Sequence, residues 1–549
     1  MKNLPIGVDD YLAALDSYYI DKTLFIKELL DYSINKSLLV TRPRRFGKSL
    51  MLSMVEYYFT NKGDYKYAFT DKNIYKEDKK YLSYMNSYPV IRLNMKNINS
   101  DSAFSLISQT IRLISEIYRK YPELMDSSSL FDIEKNNYKN IANQIYKDPF
   151  DYSNAIRDLS MYLYKHYHKK VIILIDEYDT PIQNAYDNNF YNECISFFKS
   201  LYSSALKGNE NVFFAIITGV LEVGKESLFS GLNNLNVQTV IDDGLNGYFG
   251  FTKDEVKDLL NAYKVNIDID KLAKWYGGYG NKFNIFNPWS ILNYINYEQF
   301  DTYWANTGTN NLINDLIEKT KLQENDFANY LNSQDKTFSF DRAISYKDLN
   351  GNVDALFSFL TQSGYLNVKK VEDRTYQALI PNEEIKIVFE KEIITRNINF
   401  PIKIGDELKN AITNMDNDKI MHIIGEYVMD SFSYYDFTKE KDYQILVVGI
   451  LKILFDEYYV ESEPNSRFGR CDILISPKTN YDFGIGIELK KYKGCLSNKK
   501  MEEYALKAIA QIKDKKYYQT LKINGCKKII LYGFAFDDNK MVVRNQIEE

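Results

Sequence analysis

The stretch "KKVIILIDEYDTP" constrains this chain more than any other. It holds an unbroken aliphatic run, residues 171–175, that ends on Asp176 and Glu177. A strand with one wet face alternates apolar and polar side chains. A continuous run suits a strand covered on both faces, the condition inside a parallel sheet. Such sheets bind ligands at the carboxyl ends of their strands, which is where these two acids fall. There Asp176 is expected to hold Mg²⁺ through water, and Glu177 to activate an attacking water.

A second stretch, "TRPRRFGKSL" at 41–50, resembles the phosphate loop G-x-x-x-x-G-K-[ST] with one part changed. Gly47, Lys48 and Ser49 supply its second half, but Arg42 stands where the first glycine belongs, and Pro43 stiffens an alternative turn. "SLLV" before it reads as a short strand. "KSLMLSMVEYYF" after it has helical spacing at Leu50, Met54 and Tyr57/Tyr58. The residues expected around ATP are Arg42, Pro43, Arg44, Arg45, Phe46, Gly47, Lys48 and Ser49. The loop amides and the helix N-terminus would face the phosphates, Lys48 would reach the outer ones, and the Ser49 hydroxyl would bind Mg²⁺. The three arginines either stabilise transition-state charge or simply solvate and pair with acids; the residues leave both open. Two more strands are expected: "PVIRLNM", and "NVFFAIITG" ending at Thr218, where such ATPases place a polar sensor of the γ-phosphate. Asp21 and Lys22 in "YYIDKT" are further candidates for the pocket wall.

At 549 residues the chain exceeds one core, and two to four domains are expected. A net charge of −5 excludes a globally basic nucleic-acid coat but allows a local basic groove. "MKNLPIGVDDYLAALDS" carries acids where a signal peptide needs an apolar stretch. The densest apolar run, "ILVVGILKILF", is broken by Lys452 and is shorter than the roughly 20 residues that span a bilayer. A cytoplasmic protein with no membrane partner is the expectation. Cys194, Cys471, Cys495 and Cys526 show no C-x-x-C spacing, and 3 histidines leave little for histidine-based sites, so metal chemistry must rest on carboxylates. The 47 tyrosines accompany abundant Ile, Asn and Lys, a mixture of A+T-rich codons, and carry no functional weight.

"LPIGVDDY", "YYIDKTLFI", "RPRRFGKSL", "LIDEYDTPI", "ITGV", "LFSGLNNL", "YFGFTKDEV", "WYGGYG", "FNPWSI" and "YWANTG" follow one another as they do in the AAA-ATPase-like family, which the chain resembles over most of residues 4–310. The resemblance makes "RPRRFGKS" the family's normal loop. Glu222, where a neutral or basic residue would be expected, puts an arginine-type sensor there in doubt. It implies an AAA-like P-loop core over 1–250 and a helical lid over 251–335. The pattern from "VDALFSFL" to "IVFEKEI" reads as helix, strand, turn, strand and helix. It suits a winged-helix-like connector over 336–395 that, lacking a basic excess, serves as scaffold.

The remainder, 396–549, has its own chemistry. "GRCDILI" puts Asp472 at the start of an apolar strand, and "FGIGIELKKYK" puts Glu488 and Lys490 on one strand face with Leu489 pointing into the core. Two carboxylates and a lysine on one face suit metal-assisted phosphodiester hydrolysis: Asp472 and Glu488 bind Mg²⁺, or Mn²⁺, and Lys490 orients or activates water. This D…E-x-K pattern resembles the PD-(D/E)XK nucleases that often accompany the ATPase family. That resemblance implies that Gln511, on the helix "KKMEEYALKAIAQIKDKKYY" with its buried stripe Met501, Ala505, Ala508 and Ile512, borders the active site. Asn465 stands where relatives have an acid, and Glu440, Glu461 or Glu463 would have to compensate. Lysines far outnumber acids over 490–528, as a phosphate backbone demands. The expected partner is DNA or RNA, with homo-oligomerisation left open. The expected function is ATP-controlled cleavage of nucleic acid; the alternative is an ATP-dependent switch that binds a partner through a cleavage-inactive tail.

Overall fold

The structure is a computed structural model of the chain. It describes all residues except 1, 32–36, 223–234, 243, 281, 283, 305–336, 345, 350, 390–401, 426–446, 448–450, 452–453, 456–457, 463–464, 467–468, 471, 478–482, 493, 495, 524, 538–539 and 549. The chain divides into two compact units, Met1–Lys386 and Ile387–Glu549.

In the first unit, β1 (Ser37–Thr41), β2 (Val90–Asn94), β3 (Val171–Asp176), β4 (Val212–Gly219) and β5 (Leu235–Gln238) form a parallel sheet in the order β2-β3-β4-β1-β5. β1 and β3 are buried along their whole length, as their unbroken apolar runs require. The register pairs Thr41 with Gly219 and Asn94 with Asp176, so the carboxyl ends of the strands are level and their loops share one edge. Helix α1 (Lys48–Phe59) starts from Gly47, whose φ of 79° is the left-handed turn that glycine makes without strain. Its buried set includes Met51, Leu52, Met54, Val55 and Tyr58, while Leu50 and Tyr57 are only half-buried, so the stripe is rotated from the expected one. The reason is tertiary: Leu50 turns toward the cavity described below.

Helices α2 (Lys253–Tyr263), α3 (Ile269–Tyr276) and α4 (Pro288–Tyr297) follow and share one apolar cluster. After them come β6 (Thr337–Ser339), α5 (Val353–Ser363), β7 (Asn367–Glu372), β8 (Thr375–Leu379) and helical residues 383–389, the strands pairing in the order β6-β8-β7. The "WYGGYG" motif is the seat of this segment. Asn367 Nδ2 donates to the carbonyls of Gly278 (2.6 Å) and Gly280 (3.1 Å), and Asn382 Nδ2 to that of Gly277 (2.7 Å). Gly278 is irreplaceable there, because a Cβ would lie 2.0 Å from the Pro381 carbonyl oxygen.

The second unit contains helices α6 (Ile402–Thr413) and α7 (Asn417–Ile424) and a five-stranded mixed sheet. Its strands are β9 (Tyr458–Ser462), β10 (Ile473–Pro477), β11 (Phe483–Lys491), β12 (Lys528–Phe536) and β13 (Met541–Glu548), in that spatial order, with only β11 and β12 parallel. Helix α8 (Asn498–Asp514) crosses between the parallel pair and buries Met501, Ala505, Ala508, Ile509 and Ile512. Gly533 lets α8 approach the sheet: a Cβ there would lie 2.0 Å from the Ala505 carbonyl oxygen. No helix among the described residues is long and apolar enough to cross a membrane.

Candidate active sites

The level strand ends of the first unit open on a cavity of about 440 Å³. Part of its wall is polar, with Gly47, Lys48, Ser49, Glu177, Asp179 and Thr180, and part is largely apolar, with Pro5, Val8, Tyr18, Ile20, Trp289 and Leu292. Lys48 is buried and folded back, its Nζ donating to the carbonyls of Arg42 (2.8 Å) and Pro43 (2.9 Å). Burial lowers its pKa, against the pull of Glu177, Asp179 and Asp176. Asp176 is wholly buried; its Oδ1 accepts from the Thr218 hydroxyl at 2.7 Å, while Oδ2 has no hydrogen-bond partner and faces the Arg92 guanidinium at 3.8 Å. Asp176 itself does not line the cavity; its open oxygen is the donor that a hydrated divalent cation would use there. Glu177 lines the cavity from a left-handed backbone, φ 52°.

The eight loop residues do not act alike. Arg44, Arg45, Phe46, Gly47, Lys48 and Ser49 line the cavity; Arg42 and Pro43 do not. Arg42, expected at the nucleotide, is 1% exposed, and its guanidinium donates to the carbonyls of Thr41 and Gln238, each at 2.8 Å, and to Asn246 Oδ1 at 3.0 Å. A buried guanidinium must satisfy its donors, and these acceptors turn it away from the phosphates. Arg45 lies over the Trp289 ring, 4.4 Å from its centre, in the apolar part of the wall. Phe46 is buried against Tyr279 and Ile285. Thr218 stands behind the carboxylates instead of in the wall, bonded to Asp176 and, at 3.4 Å, to the Glu177 amide. Lys22 lines the cavity and pairs with Glu255 at 2.6 Å, whereas Asp21 braces Thr23 and Asn73 elsewhere.

In the second unit Asp472, Glu488, Lys490 and Gln511 come together. Asp472 Oδ2 accepts from the Leu489 amide at 2.7 Å, which ties the start of β10 to β11 beside Glu488. Glu488 is 2% exposed, and its Oε1 accepts from Lys490 Nζ at 3.0 Å and from Gln511 Nε2. Its Oε2 is buried without a partner. Burial first, and the Asp472 carboxylate second, push its pKa up to about 7, against the opposing pull of Lys490. Two carboxylates in mutual repulsion, one with an open buried oxygen, are the donor set a divalent cation neutralises. Among the described residues no group of three or more His, Cys, Asp or Glu could hold a metal.

These two centres match known families. The model described as "Predicted AAA-ATPase" matches residues 5–229, and that of the PD-(D/E)XK nuclease superfamily matches residues 438–546. The chain joins an AAA-ATPase-like domain to a PD-(D/E)XK nuclease-superfamily domain. An "Uncharacterized protein in vnfD 5'region" of Azotobacter chroococcum mcd 1 is 26% identical over 414 residues, covering 73% of this chain and 72% of that protein. A Walker-type ATPase of Pyrococcus abyssi is similar at a TM-score of 0.35 and 14% identity, over 67% of this chain and 94% of its own.

The wall of the first unit's cavity includes residues that their motifs did not single out: Trp289, Asp179, Lys96 and Asp9. The fourth letter of "DEYD" was the available signal for Asp179. In the nuclease-superfamily domain, Tyr492, which directly follows β11, and Tyr504 stack with ring centres 3.8 Å apart. Glu440 and Glu463 lie outside the described residues, and of Glu461 and Asn465 only the backbone is described.

Proposed function

We propose that the protein binds and hydrolyses ATP in the first cavity and that this controls hydrolytic cleavage of nucleic acid by the second site. The phosphates sit against the Gly47–Lys48–Ser49 amides, and the base occupies the apolar part beside Trp289 and the Pro5–Val8 segment. Ser49 and Asp176 would hold Mg²⁺ there, and Glu177 takes the proton of the attacking water. The observation that carries the nuclease reading is Glu488: a buried carboxylate with Lys490 and Gln511 on one oxygen and nothing on the other. Asp472 and Glu488 would hold the divalent ion, which supplies positive charge to polarise the scissile phosphate. Lys490 orients water for attack on phosphorus, and Gln511 holds Glu488 in place. The exposed lysines at both ends of α8, Lys499, Lys500, Lys515 and Lys516, suit a DNA or RNA backbone.

Control by ATP is supported by the grip that the lid and connector segments keep on the ATPase loops. Trp304 Nε1 donates to the Arg44 carbonyl at 2.9 Å, and Gln362 Oε1 on α5 accepts from the Glu222 amide at 2.8 Å. The deciding experiment incubates the full chain with supercoiled plasmid and with RNA, plus Mg²⁺ or Mn²⁺, with and without ATP. Metal-dependent nicking that changes with ATP and disappears in Glu488→Ala is expected. Intact substrates in every condition, with ATP still bound, would make the tail a binding module.

A further inference from the structure

Asp179 is 3% exposed, stands in the cavity wall, and has no role in the scheme above. Its Oδ2 accepts from two successive amides of the loop after β4, Val220 at 2.8 Å and Leu221 at 2.9 Å. Tyr178 adds to the same seam: its amide donates to the Thr218 carbonyl at 3.0 Å and its hydroxyl to the Leu221 carbonyl at 2.7 Å. Gly219 lies between them with no room for a side chain, since a Cβ would be 2.6 Å from both Asp179 Oδ1 and the Tyr178 ring. The turn after β3 is thus stitched to the end of β4 and to the first two residues of the loop that follows it.

Glu177 sits at the head of that turn in a left-handed conformation, which a glutamate adopts only where its surroundings impose it. Burying a carboxylate is costly, and two amides from an adjacent loop are what offset it here. The stitched loop then runs directly into Glu222 and its bond to Gln362. We propose that Asp179 is a positioning residue for ATP hydrolysis: by binding the Val220 and Leu221 amides it holds the β3 turn so that Glu177 faces the cavity. This rests on the reading of the cavity as the ATP site.

The test compares Asp179→Ala, Asp179→Asn and Tyr178→Phe in the full chain, reading ATP affinity and kcat separately. Asp179→Ala should lower kcat about tenfold or more with affinity within about threefold, because the phosphate contacts remain and only the catalytic group is displaced. Asp179→Asn, whose amide oxygen accepts the same two amides, should recover most of kcat. Tyr178→Phe, which removes one bond of the same seam, should lose less kcat at unchanged affinity; it decides the matter if Asp179→Ala does not fold, and a wild-type kcat there would overturn the proposal. A wild-type kcat in Asp179→Ala, or an equal loss in Asp179→Asn, overturns it too, while the ATP reading stands. A wild-type chain that binds no ATP overturns both.

Discussion

Gly364 abuts Pro43. A Cβ on Gly364 would lie 2.6 Å from both Cβ and Cγ of the proline, and the glycine holds φ +88° at the end of α5. The segment that carries α5 therefore rests on the 41–50 loop, at the position beside Arg42 whose carbonyl also receives Lys48.

Gly364→Ala combines a disfavoured backbone with overpacking and should destabilise the first unit by about 1–3 kcal/mol. Thermal melting of the full chain reads this as a lowered transition of that unit. Because the displaced partner is Pro43, ATP affinity should fall as well; an unchanged affinity would mean that the loop yields without reshaping the cavity.

Lys48→Ala removes the ammonium that would leave the Arg42 and Pro43 carbonyls for the outer phosphates, and ATP affinity should drop by roughly tenfold or more. Glu177→Gln should leave affinity near wild type while hydrolysis slows, since it withdraws a proton acceptor and no phosphate contact. Titration with a fluorescent ATP analogue and a phosphate-release assay separate the two effects. Normal hydrolysis in Glu177→Gln would remove Glu177 from the chemistry.

Asp472→Ala, Glu488→Ala and Lys490→Ala should each abolish cleavage, but differently. Loss of either carboxylate weakens metal affinity, so raising Mg²⁺ or Mn²⁺ should restore part of the activity. Lys490→Ala keeps both acids and should not respond to added metal. ATP hydrolysis should persist in all three, because its residues belong to the other unit.

In chelator-treated protein, stability should fall as pH rises from about 4.5 to about 7. Glu488 stays protonated up to about 7 in the folded chain, against 4.5 for an ordinary glutamate. Across that window the folded state binds the extra proton, so unfolding becomes easier with rising pH and the penalty persists above it. Glu488→Gln should flatten that slope and be more stable than wild type at pH 8 in urea unfolding. A steeper slope in the variant would contradict the raised pKa.

Replacing the exposed Lys499, Lys500, Lys515 and Lys516 with Gln should flatten the dependence of log K on log salt for nucleic-acid binding, because fewer counterions are released. An unchanged slope would show that these lysines only solvate α8.

Both chemical centres were legible because their information is local. The aliphatic run at 171–175 specifies a doubly covered strand, Gly47 a left-handed turn into α1, and the i, i+2 spacing of Glu488 and Lys490 a shared strand face. The stripe of α8 was legible for the same reason, since a helix crossing one sheet face buries a 3.6-residue period. Helix α1 was less so, because it meets the core on one side and the cavity on another.

By itself, then, the amino-acid sequence determined the two kinds of site and the strands and helices that carry them. The tertiary structure decided which charges face those sites. Arg42 and Arg45 were both expected at the nucleotide, yet one bonds the Gln238 and Asn246 oxygens and the other lies on Trp289, partners contributed by distant parts of the chain. Asp179 reads as one more loop acid until the amides of Val220 and Leu221 are brought against it. A buried charge goes where its hydrogen bonds can be satisfied, and only the folded chain supplies those partners.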